Sequence, residues 1–178
     1  MTTQARETFV IRKSFLVPLG ILLAQTLTLF GVGTTHGEPR GKMIILGLII
    51  LPVAVVFIES LFRKVSIDPD RIAVDKFFRR RSISFTDVTG VETVQVRKRV
   101  FLTIWAEERF ILLSNAYADF PRLMRSLISR VPPEALSEDT RATAANPPVK
   151  TTDVISCWLA VALMTMILYI QFGGRLPG

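Results

Sequence analysis

Residues 43–74 read MIILGLIILPVAVVFIESLFRKVSIDPDRIAV, and a change of character inside this stretch decides the fold. Up to Phe62 the chain is apolar over roughly the 20 residues that an α-helix needs to cross about 30 Å of hydrocarbon. Past Arg63-Lys64 the pattern alternates instead, and Asp68-Pro69-Asp70 sets a turn between two short strands. A helix suited to lipid therefore gives way abruptly to chain too polar and too alternating to lie there.

Two more apolar stretches, Ser14 to Gly33 and Val154 to Phe172, complete a set of three. They divide the chain into an N-terminal segment (1–13), a helical hairpin (14–62), a strand-rich block (63–131), a Pro-, Ala- and Thr-rich tract (132–150) and a third helix with a short tail (151–178). The tract 132–150 has no apolar period and reads as a flexible linker. The first stretch is longer than the apolar core of a secretory signal and no A-x-A site follows it, so it reads as a retained helix.

Lys and Arg near the helix ends set the expected orientation. Arg6, Arg12 and Lys13 precede the first helix and Arg63 and Lys64 follow the second, whereas the loop between them holds Arg40 and Lys42. The N-terminus and the block are expected in the cytoplasm, with the third helix running outward. Polar residues inside the spans are few; Gln25 lies in the middle of the first, and Glu59 stands four residues before Arg63, the favourable helical order for an ion pair. Gly20 and Ala24 offer a small-residue face to a neighbouring helix.

Net charge is +7, and from Arg63 to Arg130 fourteen Lys or Arg stand against eight Asp or Glu. Such a balance suits nucleic acid or an anionic membrane face, and flanking spans favour the membrane. One cysteine, Cys157, and one histidine, His36, exclude an internal disulfide and a Cys/His metal site.

Strands are predicted at 64–67, at 72–75 leading into Phe77-Phe78-Arg79-Arg80, at 81–85, 91–96, 100–104 and 109–113. Asp119 is placed to cap a following helix, Pro121 suits its first turn, and Phe120, Leu123, Leu127, Ile128 and Val131 form its apolar stripe. The expected architecture is three spanning helices plus an α+β domain, an antiparallel meander closed by one amphipathic helix.

From Lys64 to about Pro132 the chain resembles the bacterial pleckstrin-homology-like (PH-like) domain membrane proteins. The resemblance rests on Val65-Ser66-Ile67-Asp68-Pro69-Asp70-Arg71-Ile72-Ala73-Val74, the Arg-rich turn, Ile83-Ser84-Phe85-Thr86-Asp87-Val88, Phe110-Ile111-Leu112-Leu113-Ser114-Asn115 and the closing helix. It implies a bent antiparallel sheet, or partial barrel, capped by that helix, in a membrane-anchored binding or scaffold module of the bacterial inner membrane.

A meander sends alternate turns to opposite ends of a sheet. Arg79, Arg80 and Arg81 with Arg97, Lys98 and Arg99 are thereby expected at the membrane end, and Asp68/Asp70, Asp87 and Glu107/Glu108 at the far end. The six cations are the candidate contact for anionic lipid or a partner, with solvated hairpin tips as the alternative. Phe77, Phe78 and Trp105 are candidate interface residues, although a covered sheet edge is the preferred reading of the Phe pair. No phosphate loop, nucleophile motif or H-E-x-x-H is present, so no catalytic residues, cofactor or metal are expected. The expected function is non-enzymatic: a membrane-anchored module that contacts lipid headgroups or a membrane-protein partner, or forms a homo-oligomer, without nucleic acid. The alternative is a small subunit of an oligomeric transporter or channel.

Overall fold

Helices α1 (Lys13–Thr35), α2 (Arg40–Phe62) and α5 (Thr152–Gly173) coincide with the three apolar stretches. All three are long and apolar enough to cross a membrane. The computed structural model describes residues 6–107, 109–148 and 151–173. The chain divides into two units, one drawn from Met1–Arg12 and Phe62–Lys150, the other from Lys13–Leu61 and Thr151–Gly178.

In the helical unit α1 packs along α5. Gln25 Nε2 donates to Thr165 Oγ1 at 2.7 Å, and that hydroxyl donates to the Val161 carbonyl at 2.8 Å. The donor half of this amide is thus partnered across the helices, while its buried Oε1 has no hydrogen-bond partner among the described residues. Gly20 leaves room for the Phe57 ring of α2, whose Cε2 would lie 3.1 Å from any Cβ placed there. Pro18 and Pro52 lie inside α1 and α2, as lipid-spanning helices tolerate.

The other unit is built on two antiparallel sheets. The first has the order β1-β2-β3-β4, from Glu7–Val10, Lys64–Ile67, Arg71–Asp75 and Arg80–Ser84. The second has the order β5-β6-β7, from Gly90–Val96, Arg99–Ala106 and Arg109–Ser114. Asp68-Pro69-Asp70 turns as expected, with the Asp68 N–H donating to the Arg71 carbonyl at 2.9 Å. Val100, Leu102 and Ile104 alternate inward on β6 and are buried, as are Val65, Ile67 and Ile72 of the first sheet.

Helix α3 (Phe120–Ile128) begins where the sequence places it. Asp119 takes a left-handed conformation (φ 49°), and its carboxylate accepts the Arg122 N–H at 3.4 Å. Phe120, Leu123, Met124 and Leu127 are buried, whereas Ile128 is half-buried. The helix stops earlier than its apolar stripe suggests, although Val131 remains buried and its N–H still reaches the Leu127 carbonyl at 3.2 Å.

Two segments depart from the sequence reading. The N-terminal segment is not merely a leader to α1. Its residues 7–10 form β1, paired with β2 in the register Glu7↔Ile67 to Val10↔Lys64, and Phe9 and Ile11 are buried. The tract read as a linker carries a 3₁₀ turn at Pro133–Ala135 and helix α4 at Glu138–Ala145. Ser137 caps α4 by accepting the Thr140 N–H at 3.3 Å, and its own N–H donates to the Val91 carbonyl at 3.1 Å. The buried Thr140 hydroxyl lies 3.0 Å from the Val91 carbonyl and 2.9 Å from the Thr93 hydroxyl. Hydroxyl pairing, not an apolar stripe, fixes this helix to β5.

Thr140→Val keeps the volume but strands the Thr93 hydroxyl in a buried place. It is expected to cost about 1–3 kcal/mol, read as a lowered Tm of the detergent-solubilised protein and faster hydrogen exchange over residues 137–145.

Candidate functional site

Three passages of the backbone gather at one end of the strand-rich unit. Val10 to Arg12 lead into α1, Phe62 to Lys64 come from α2, and Pro148 lies on the way to α5. Asn115, only 2% exposed, ties them together. Its Nδ2 donates to the Lys98 carbonyl at 2.8 Å and to the Pro148 carbonyl at 3.1 Å, and its Oδ1 accepts the Val100 N–H at 3.3 Å. The Arg12 guanidinium donates to the carbonyls of Asn115 and Tyr117. Arg63, which the sequence offers to Glu59, instead donates to Tyr117 Oη at 3.1 Å and lies 5.7 Å above that ring.

Both basic turns open at this end. In the first sheet Lys64, Asp75 and Arg80 are aligned across β2, β3 and β4, so the turn Lys76 to Arg79 projects beyond the row where the chain arrives from α2. In the second sheet Val96 pairs with Arg99, leaving Arg97-Lys98 as a two-residue tip whose Lys98 carbonyl is the one held by Asn115. Arg97 sits in the left-handed region at φ 56°, where a side chain is strained.

The six predicted cations do not share one role. Arg79, Arg97, Lys98 and Arg99 are exposed at the tips. Arg80 lies 3.4 Å from Asp75, a carboxylate that Lys64 also approaches at 3.7 Å. Arg81 leaves the tip altogether: it donates to the Phe110 carbonyl of β7 at 3.4 Å and stacks 5.7 Å from that ring. Lys76, not singled out by the sequence reading, is exposed in the same turn as Arg79.

Phe77 and Phe78 do not cover a sheet edge. They are 43% and 87% exposed, their rings are 4.2 Å apart, and Phe77 lies 4.9 Å from Phe62, itself half-uncovered at the end of α2. Aromatic and cationic groups thus share one protruding turn. Trp105 belongs elsewhere. It stands on the outer face of the second sheet, 5.4 Å from Phe110, with Nε1 donating to Glu92 Oε2 at 3.4 Å.

The acidic turns lie at the opposite ends of their sheets, and arginine answers the aspartates among them. Arg6 approaches Asp68 at 3.5 Å, Arg109 approaches Asp87 at 4.0 Å, and Arg71 reaches Asp70 at 3.0 Å. The hydrogen bond from Arg71 holds the Asp70 carboxyl below its ordinary range. Glu107 forms the β6–β7 tip at φ 49°, and Glu108 lies outside the described residues. Among the described residues no three His, Cys, Asp or Glu come together as metal ligands would.

No family model, curated protein or solved structure matches the chain.

Arg97→Gly removes one exposed cation and relieves its left-handed strain, offsetting the chain entropy that glycine costs. Its Tm is expected to hold or rise. Lys98→Gly, without such strain to relieve, is expected to lose about 0.5–1 kcal/mol in the same thermal melt.

Proposed function

We propose that the protein is a non-enzymatic, membrane-anchored binding module, with a PH-like strand-rich domain on the cytoplasmic side of a bacterial inner membrane, that holds anionic lipid headgroups and positions a membrane-protein partner. The observation that carries this reading is the Lys76-Phe77-Phe78-Arg79 turn. Its exposed rings continue from Phe62, the last residue of a helix long and apolar enough to span. Exposed Phe rings beside cations can bury at the headgroup–acyl boundary, and each nearby Lys or Arg contributes about 1 kcal/mol at an anionic leaflet. Arg97 and Lys98 at the second tip extend the basic contact, while Arg80 is largely answered by Asp75.

Pairing of β1 with β2 supports the topology assumed here. The two strands flank the α1–α2 hairpin, so joining them in one sheet requires both ends of that hairpin on the same side of any membrane it crosses. Lys and Arg counts then choose the cytoplasm. The closing helix α3 and the two antiparallel sheets are the features on which the PH-like reading leans.

The transporter or channel alternative draws on the intramembrane amide of Gln25. The Nε2 of that amide is used in joining α1 to α5 through Thr165, while its buried Oε1 has no partner among the described residues.

The test places a Trp at position 78 in a background with Trp105→Phe and Trp158→Phe, reconstituted in nanodiscs carrying lipids brominated near the headgroup. Anionic discs are expected to quench Phe78→Trp strongly and neutral discs weakly. Adding Arg79→Ala, Arg97→Ala and Lys98→Ala should reduce the quenching several-fold. Equal and weak quenching in both lipids would show a solvated tip and overturn the lipid-facing assignment.

A further inference from the structure

A second site, independent of the lipid-facing end, lies between β1 and α3. β1 is the outer strand of its sheet. The Val10 carbonyl accepts the Ala118 N–H at 2.7 Å, and the Arg12 N–H donates to the Ala116 carbonyl at 3.3 Å, so these residues turn their backbone groups away from β2. In an antiparallel strand that direction repeats every second residue. Thr8 therefore presents its N–H and C=O outward as well. Beyond Ala118 the chain swings away at Asp119 into α3, and the edge at Thr8 is left facing a groove of about 890 Å³.

Four arginines and two carboxylates, Glu7 and Asp119, line the groove, which is therefore basic on balance. Arg6 and Thr8 line one side, and Arg122, Arg125 and Arg130 line the α3 side. Two of these guanidinium groups are answered by carboxylates: Arg122 meets Glu7 at 3.1 Å and Arg6 meets Asp68 at 3.5 Å. Arg125 and, just past the helix end, Arg130 bond instead to carbonyls of α3, at 3.4 Å to Pro121 and 2.6 Å to Ser126. The Arg130 Nε is buried and has no hydrogen-bond partner among the described residues.

We infer that this groove receives an extended, acidic segment of a partner protein, which adds as a strand to β1 while its carboxylates meet Arg125 and Arg130. The backbone edge selects a peptide in extended form, and the arginines select its charge. A small anion would satisfy the arginines but leave the Thr8 edge open. The segment would continue the short antiparallel run that Tyr117 and Ala118 already make against Ile11 and Val10.

The test uses the full-length protein in nanodiscs of neutral lipid, with fluorescence anisotropy of a labelled nine-residue peptide alternating Glu with Val and Thr. Saturable binding that weakens with salt is expected. A peptide with Lys in place of Glu, and one N-methylated at every second residue to block strand pairing, should each bind at least tenfold more weakly. Arg125→Glu should reduce affinity at least tenfold. Thr8→Pro removes an outward N–H at a sheet edge, where proline is tolerated, so it should preserve Tm and abolish binding. Arg125 is exposed, so a preserved Tm in Arg125→Glu separates lost recognition from lost folding. Equal affinity for the N-methylated peptide would overturn strand addition. No binding at millimolar peptide, or a dimer of the wild type dispersed by Thr8→Pro, would overturn the proposal, the latter by assigning the edge to a second copy.

Discussion

The carboxamide of Asn115 is the joint on which the strand-rich unit closes. It is buried, and its three hydrogen bonds go to three different places: the tip of β5–β6, the start of β6 and the chain beyond α4. A buried amide is costly unless its donors and acceptors are matched, and here both ends of the group are engaged. Because Arg12 and Arg63 grip the neighbouring Asn115 and Tyr117, the passages to both hairpin helices are fastened to the same short segment. The basic tips project from this fastened end, and their position is set by polar contacts more than by apolar packing.

Charge is arranged differently at the two ends. The acidic turns are met pairwise by Arg6, Arg71 and Arg109, whereas at the other end Asp75 is shared by Lys64 and Arg80 and leaves Lys76, Arg79, Arg97 and Lys98 at the surface. Exposed ion pairs of this kind contribute little to stability. Their effect is on the field around the unit: carboxylates and arginines are interspersed at one end, and the other remains cationic.

The parts of the fold that were legible are those whose signal is local. Alternation in Val100, Leu102 and Ile104, the Asp68-Pro69-Asp70 turn and the Asp119 cap each depend on neighbours within a few residues. β1 was hidden because its partner β2 lies beyond both hairpin helices, and four residues beside a long apolar stretch carry too little pattern. α4 was hidden because Thr140 anchors it through hydroxyls, which composition reads as a polar tract. At the site the Arg run was visible, but its division was not. Strand register sets Arg80 opposite Asp75 and lets Arg81 reach Phe110, and the groove beside α3 exists only once β1 is in place.

β1 and β2 also impose an order on biosynthesis. When Glu7–Val10 leaves the ribosome, the strand that must pair with it has not been made, and both hairpin helices have to be produced first. A free loop of that size would add to the entropy of closure. Were α1 and α2 to enter a bilayer as an adjacent pair, their outer ends would be brought together and the loop to be closed would be effectively short.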